Sequence, residues 1–456
     1  MSKILLKNIH TLMTDPRKKD QSGVDLLIVD NIIEKIQKNI KVERGVRVID
    51  CSNLVVIPGM VNTHHHFYQT LTRNLPDVQN AKLFNWLKYL YEIWKGIDDE
   101  AVYYSSLTAI AELLKSGCTT TTDHHYLYPK NFKGDIMAIQ FEAADMLGIR
   151  FSPTRGSMSL SKKDGGLPPD SVVQDVDTIL KHSEECIQKF HDKDGMAMHK
   201  IVLAPCSPFS VTKECMKESA KLARKYKVHL HTHLCETMDE EDTCKAMYGL
   251  RPLALMEECD LIGNDVFYAH GIWFNDDELK ILKETGSHIA HCPSSNMRLG
   301  SGICRVKEML AMGINVGLAV DGSASNDSSS MLLEARTALY LQRVKYGSDA
   351  LSARDVFKMA SENGAKMLGF KKVGRLEEGW AADIAIFDSN TDLSFAGSQS
   401  DSVASLLFCT PKDAKYTIVN GKLAVDNYHL VGFDEEWLVK MQNESAKKLY
   451  KKAGII

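Results

Sequence analysis

No apolar run in this 456-residue chain reaches the length needed to cross a bilayer. The opening Met-Ser-Lys-Ile-Leu-Leu-Lys-Asn lacks the apolar core of a secretory signal. Neither a membrane anchor nor export is therefore expected. Basic excess is also missing. The chain has 55 Lys and Arg against 59 Asp and Glu, a net charge of −4 and a pI near 6.5. Nucleic acid and anionic membranes, which need clustered positive charge, are disfavoured as partners. No Cys-x-x-Cys pair and no Gly-x-Gly-x-x-Gly loop occur, so neither a thiolate metal knuckle nor a dinucleotide fold is indicated. The 11 cysteines are odd in number and scattered, as expected of reduced thiols in a cytoplasmic protein. Cys118, Cys206, Cys235 and Cys292 fall near strand ends and read as packed, inert thiols.

What the chain does have is 44% hydrophobic residues and a marked alternation of strand-like and helix-like segments. Residues 1–57 alternate short apolar runs with polar turns, the texture of a small antiparallel sheet. The same texture returns at 383–388 and 416–421, where Asn420-Gly421 signals a hairpin. Both ends are thus expected to build one small β-sandwich side domain, from 1–57 and 375–430, with a closing helix in 431–456. Between them, 58–374 carries strand-like runs at 55–62, 118–123, 149–154, 200–205, 228–234, 266–270, 287–291 and 315–321. Amphipathic helical stretches separate them, for example 101–115, 136–147, 172–191, 213–226 and 277–285. Strands apolar on both faces imply an all-parallel sheet, and this number implies closure. The expected fold is α/β, a (β/α)8 TIM barrel with a β-sandwich side domain; an open doubly wound sheet is the alternative.

A barrel places functional side chains at the C-terminal ends of its strands. Those ends read His64-His65-His66, Asp123-His124-His125, Arg155, Cys206, His231-Thr-His233-Leu-Cys-Glu236, His270, His291 and Asp321. His64 and His66 are spaced i, i+2, so an extended backbone points both to one side. Alone, such a pair is as readily a His-rich surface turn. With His233 and Asp321 it makes an N3O set for one divalent metal with a position left open for water, a catalytic arrangement. An ion there lowers the pKa of a bound water, and Asp321 stands ready to take its proton. Glu236, just past its strand, is placed to shuttle a proton to a ring nitrogen and on to a leaving group. His270 is placed to hydrogen-bond the nucleophile or a developing tetrahedral oxygen. His65 is out of phase and reads as structural. His231 reads as supporting or packing. His124, His125 and His291 are open between pocket lining and a supporting hydrogen bond. The fourth strand ends without the lysine that would bridge two metals.

Pro58-Gly-Met-Val-Asn-Thr-His64-His-His66, His233-Leu-Cys-Glu236, Ala269-His270 and Val320-Asp321-Gly-Ser-Ala-Ser-Asn326-Asp327 resemble the amidohydrolase superfamily, in its cytosine/guanine/triazine aminohydrolase branch. The resemblance spans nearly the whole chain, including Gly374-Arg-Leu-Glu-Glu-Gly-Trp-Ala-Ala-Asp383. It implies a zinc-dependent, occasionally iron-dependent, hydrolytic deaminase of an aminated heterocycle, and commonly a homo-oligomer. Thr154-Arg155-Gly-Ser-Met-Ser-Leu, Gly165-Gly-Leu-Pro-Pro-Asp170 and Thr121-Thr-Asp-His-His125-Tyr are similar to 8-oxoguanine deaminases and hydroxyatrazine ethylaminohydrolase-like proteins. On that resemblance Gln69 contacts the ring. From the residues themselves, Arg155 is placed either to hold a ring oxygen or to pair within its loop, His125 is a candidate ring contact, and Phe84, Trp86, Tyr89 and Trp94 offer an aromatic wall. Gly165-Gly166 followed by Pro168-Pro169 suits a lid. The first expectation is 8-oxoguanine converted to urate and ammonia. Isoxanthopterin-like pterins, guanine and hydroxylated s-triazines are alternatives, and a non-catalytic scaffold is the remote one.

Overall fold

A computed structural model describes residues 2–456. Its centre is a ring of parallel strands. Met60–Asn62 pairs with Cys118–Thr121, which pairs with Arg150–Phe151. His124–His125 pairs with Thr154–Ser157, and from there Val202–Pro205, His229–Leu234, Val266–His270, His288–His291 and Val316–Leu318 follow in register. The ring closes through backbone hydrogen bonds, Thr63 N to Leu318 O at 3.1 Å and Asp321 N to His64 O at 3.1 Å. The expected barrel is therefore present, with its second and third staves each broken into two short strands. Helices such as Asp99–Lys115, Ile136–Leu147, Lys213–Tyr226 and Met331–Tyr346 pack outside it. Asp98, Asp135, Thr212 and Ser330 cap them by accepting a hydrogen bond from a first-turn amide.

The two ends of the chain supply two further sheets. Lys3–Ile9, Val24–Val29, Ile32–Gln37 and Arg47–Asp50 form one. Thr11–Leu12, Leu54–Pro58, Ile384–Asp388, Tyr416–Val419, Lys422–Asp426 and His429–Leu430 form the other. Ile4, Leu6, Leu26 and Ile28 of the first share one apolar core with Val56, Ile384, Ile386 and Ile418 of the second. The turn at Asn420-Gly421 has both residues at positive φ, 49° and 78°, as a two-residue hairpin requires. The closing helix runs Glu435–Lys452 and is capped by Asp434.

The apolar run at 55–62 corrects the sequence reading, because it serves two sheets. Leu54–Pro58 pairs antiparallel with Ile384–Asp388, and only Met60–Asn62 enters the barrel. The hand-over falls at Gly59, where an added Cβ would sit 2.2 Å from the Thr119 side chain. Only glycine lets the backbone pass that close. Gly59 N binds Asp383 O and Met60 N binds Gly117 O, so the hydrogen bonding changes sheet within one residue.

Candidate active site

Short barrel strands fix side-chain direction by parity. His64 and His66 point inward past the end of the first stave, and His231 and His233 do so on the fifth. His66 Nε2 lies 3.2 Å from His233 Nε2. Asp321 Oδ1 lies 3.4 Å from His64 Nε2 and from His66 Nε2. The opposite ring nitrogens are tied down. His66 Nδ1 donates to His124 O at 2.7 Å, and His233 Nδ1 donates to Cys206 O at 2.7 Å. A carbonyl only accepts, so both rings carry their proton on Nδ1 and turn a bare Nε2 lone pair inward. His64 Nε2 is buried and has no hydrogen-bond partner. Burial holds His64 and His233 well below the ordinary imidazole range, so both are neutral, as metal ligands must be. Burial would raise Asp321, yet the facing His64 and the neighbouring imidazoles hold its carboxyl well below the usual carboxylate range. An orphaned nitrogen facing other lone pairs and a carboxylate is the donor set of a divalent cation. Two overlapping groups, His64–His270–Asp321 and His64–His124–His233, have ligand atoms close enough to share one ion.

Beside this cluster stands a buried histidine–glutamate pair. His270 Nε2 lies 3.4 Å from Glu236 Oε2 and 4.0 Å from Asp321 Oδ2. His270 Nδ1 is 2.9 Å from Asn296 Oδ1 and donates to it, which leaves Nε2 facing the site. Ser301 Oγ donates to Glu236 Oε1 at 3.3 Å. Burial raises Glu236 above the usual glutamate range, with His270 opposing and Asp321 reinforcing the shift. Burial opposes protonation of His270, but Glu236 and Asp321 outweigh it and raise this imidazole. Glu236 thus strengthens the hold of His270 on a proton, while His270 weakens that of Glu236, whose rise comes from burial.

His66, His233, Glu236, His270 and Asp321 line a narrow pocket of about 30 Å³. Gln69 and Trp86 line it too, as expected, with Tyr126, Phe209, Leu299 and Ser325. The indole Nε1 of Trp86 is buried without a partner. A larger open groove of about 880 Å³, between the closing helix and the turn after His66, holds no such convergence of imidazoles.

Arg155 and His125 are not in the pocket, which corrects the sequence expectation. They pair directly across adjacent staves, and both face outward. Arg155 donates to His182 Nδ1 at 2.9 Å, to Gln174 Oε1 at 2.7 Å and to Gly156 O, and stacks 3.9 Å over Tyr128. His125 Nε2 donates to Leu127 O at 2.8 Å. The segment 165–169 likewise does not line the pocket; it touches the site through Leu167 N, bonded to Phe209 O. The inward residues of the second stave are His124 and Tyr126, one position either side of His125. His124 stacks on His233 with ring centroids 4.8 Å apart, and neither of its ring nitrogens has a partner. The i, i+2 spacing of His124 and Tyr126 was the signal that could have found them. His291 is buried but does not line the pocket, and both its ring nitrogens are also without partners.

Among characterised proteins, an 8-oxoguanine deaminase of Pseudomonas aeruginosa is 47% identical over 400 residues, covering 88% of each chain. Hydroxydechloroatrazine ethylaminohydrolase of a Pseudomonas species is 35% identical over 458 residues, covering 96% of this chain and 94% of that one. The crystal structure of an atrazine chlorohydrolase of Arthrobacter aurescens complexed with zinc superimposes with a TM-score of 0.92. It is 29% identical over 97% of this chain and all of its own. The model of the amidohydrolase family matches residues 55–424, the span that carries every group in the pocket, and this chain belongs to that family.

Proposed function

We propose that the chain is a metal-dependent hydrolytic deaminase whose substrate is 8-oxoguanine, converted to urate and ammonia. The observation that carries the reaction class is the Glu236–His270 pair, set against a carboxylate and bare imidazole nitrogens in one buried pocket. The 47% relative supports the choice of ring.

His64, His66, His233 and Asp321 would hold one divalent ion, zinc by analogy with the zinc-bound relative and by donor type. When bound, such an ion supplies the Lewis acidity that brings a water's pKa towards neutral. The protein's own groups then manage the protons. Asp321 accepts one from the attacking water, with His270 Nε2 beside it to hold the new oxygen. Glu236, whose hold on a proton burial strengthens, places a proton on the ring nitrogen next to the reacting carbon. A carbon–oxygen bond forms, and the carbon–nitrogen bond to the amine breaks as a second proton reaches it. The two protons of water end on the ring nitrogen and on ammonia. Gln69 offers a donor and an acceptor to the ring edge, and the unpartnered Trp86 Nε1 offers another donor.

Among the described residues no helix is long and apolar enough to cross a membrane, and the eleven unpaired cysteines suit a reducing cytoplasm. The exposed apolar Leu333, Tyr340 and Val344 on one helix suit association of several copies.

The test is ammonia release by metal-analysed enzyme from 8-oxoguanine, guanine, isoxanthopterin, cytosine and adenine, with amine release from hydroxyatrazine in parallel. A strong preference for 8-oxoguanine is expected. Preference for a pterin or triazine would replace the ring and keep the chemistry. Silence on the whole panel with metal bound would overturn the reading.

A further inference from the structure

Strand parity alone would aim Glu236 the wrong way. His233 faces the barrel interior, so an extended chain would send Leu234 outward, Cys235 inward and Glu236 outward again. The chain instead turns at Cys235, whose φ is +55°, a left-handed conformation that is strained for a residue with a Cβ. Something must hold that turn. The peptide after Cys235 is fixed on one side, because Cys235 O accepts from Ile272 N at 2.9 Å and Trp273 N at 3.0 Å. The amides are fixed on the other. Glu240 Oε1 accepts from Cys235 N at 2.8 Å, and Glu240 Oε2 accepts from Glu236 N at 3.1 Å.

Glu240 is fully buried, and these two amides are its hydrogen-bond partners among the described residues; no Lys or Arg pairs with it. It is the third residue of the helix Met238–Tyr248, whose N-cap Thr237 makes no side-chain cap bond. The carboxylate reaches back past the cap to the turn before it. Burying a carboxyl without a cation is costly. Here that cost is met by two consecutive amides and the positive end of the helix. Its acidity fits this setting. Burial pushes it up to about 7, against the pull of the two amides.

We propose that Glu240 is a positioning residue: its carboxylate clamps the left-handed turn at Cys235 and thereby aims the Glu236 side chain into the pocket. The inference rests on the reading of Glu236 as the proton carrier. Loosening the clamp leaves His233 on its strand and the ring-binding wall in place. It therefore slows proton transfer without weakening substrate or metal binding.

The experiment compares Glu240→Gln, Glu240→Ala and Glu240→Ala with Cys235→Gly against Glu236→Gln, all with measured metal content and 8-oxoguanine as substrate. The alanine variant is expected to lose about 10- to 100-fold in kcat, the scale of a small misplacement at the reacting centre, with KM and metal content unchanged. Glutamine, of the same size and keeping one acceptor, is expected to lose less, and serves if the alanine variant does not fold. Glycine at 235 makes the left-handed turn easy and is expected to restore part of the alanine loss, which a helix-capping role alone would not. Wild-type kcat in both single variants, a loss that tracks metal content, or no recovery with glycine would overturn the clamp. A fully active Glu236→Gln would instead overturn the proton-carrier reading itself.

Discussion

His231 Nε2 lies 2.8 Å from His64 Nδ1, and His231 Nδ1 donates to Phe267 O at 2.8 Å. The carbonyl fixes the proton of His231 on Nδ1, so its Nε2 accepts. His64 must then donate from Nδ1 and present a bare Nε2 inward. One backbone carbonyl thus sets two tautomers in series. Burial holds His231 down at about 3, so it does not break the series by protonating near neutrality. Replacing His231 with Leu should weaken metal binding about 10- to 100-fold, the usual effect of losing a ligand's supporting hydrogen bond. Competition against a chelator measures this without reference to turnover. Unchanged affinity would rule out the tautomer role.

Glu236→Gln keeps the size and the contact with Ser301 but cannot carry a proton. We expect kcat to fall by about 10²- to 10⁴-fold with metal stoichiometry intact. Ammonia release and metal analysis on the same preparation decide it; turnover at the wild-type rate would remove Glu236 from the chemistry.

Glu334 gives a prediction about pH and stability. Burial pushes its carboxyl from an ordinary 4.5 up to about 8, although Ser294 N and Asn326 Nδ2 both donate to it. Between those values the folded chain keeps a proton that the unfolded chain has lost. The stabilisation from this group is therefore complete below about pH 4.5 and is lost as pH rises through about 8. The steepest fall is about 1.4 kcal/mol per pH unit. Glu334→Gln should remove that slope. The difference in melting temperature between wild type and variant should drift against the wild type from pH 5 to pH 8. Parallel curves would show that Glu334 titrates normally.

Arg155 and Gln69 should behave in opposite ways. Arg155→Lys loses the stack on Tyr128 and the fixed fork to His182 and Gln174, and is expected to lower stability by about 1–3 kcal/mol with KM unchanged. Gln69→Ala, in the pocket wall, should raise KM and leave stability nearly unchanged. Thermal melts and steady-state kinetics on both variants separate the two; a raised KM in the arginine variant would return Arg155 to the substrate.

The meeting of these imidazoles and Asp321 could be read from the chain because strand ends in a barrel are both predictable and adjacent. His64 and His66 needed only i, i+2 parity, and His233 and Asp321 only their places at the ends of the fifth and eighth staves. Parity also misled. Arg155 reads as a strand end in the sequence, but it lies within the strand Thr154–Ser157, its register partner is His125, and both lie on the outer face. A strand that breaks and restarts, as the second and third staves do, hides which of two neighbouring residues turns inward. The helix Leu83–Trp94 shows a different limit. Leu83, Leu87 and Tyr91 follow each other at i, i+4, i+8 and line the pocket beside Trp86, whereas Tyr89 leaves for Asp77. That stripe is visible in the sequence, but nothing in the sequence says which cavity it faces. Glu236 was recognised by chemical type. Its orientation depends on a backbone angle at Cys235 that no residue-type preference announces.

Cys235 is not alone. His270 and Asp321, at the ends of the sixth and eighth staves, also sit at positive φ, +72° and +63°. These three departures from ordinary backbone geometry fall at or next to the pocket lining, where the side chains need directions that a regular strand end does not offer. A laboratory selection for heat tolerance that ignores turnover would find glycine favourable at His270 and Asp321 and would keep it. The survivors would melt later and no longer release ammonia. Variants of this chain bred for durability therefore need an activity check at each round.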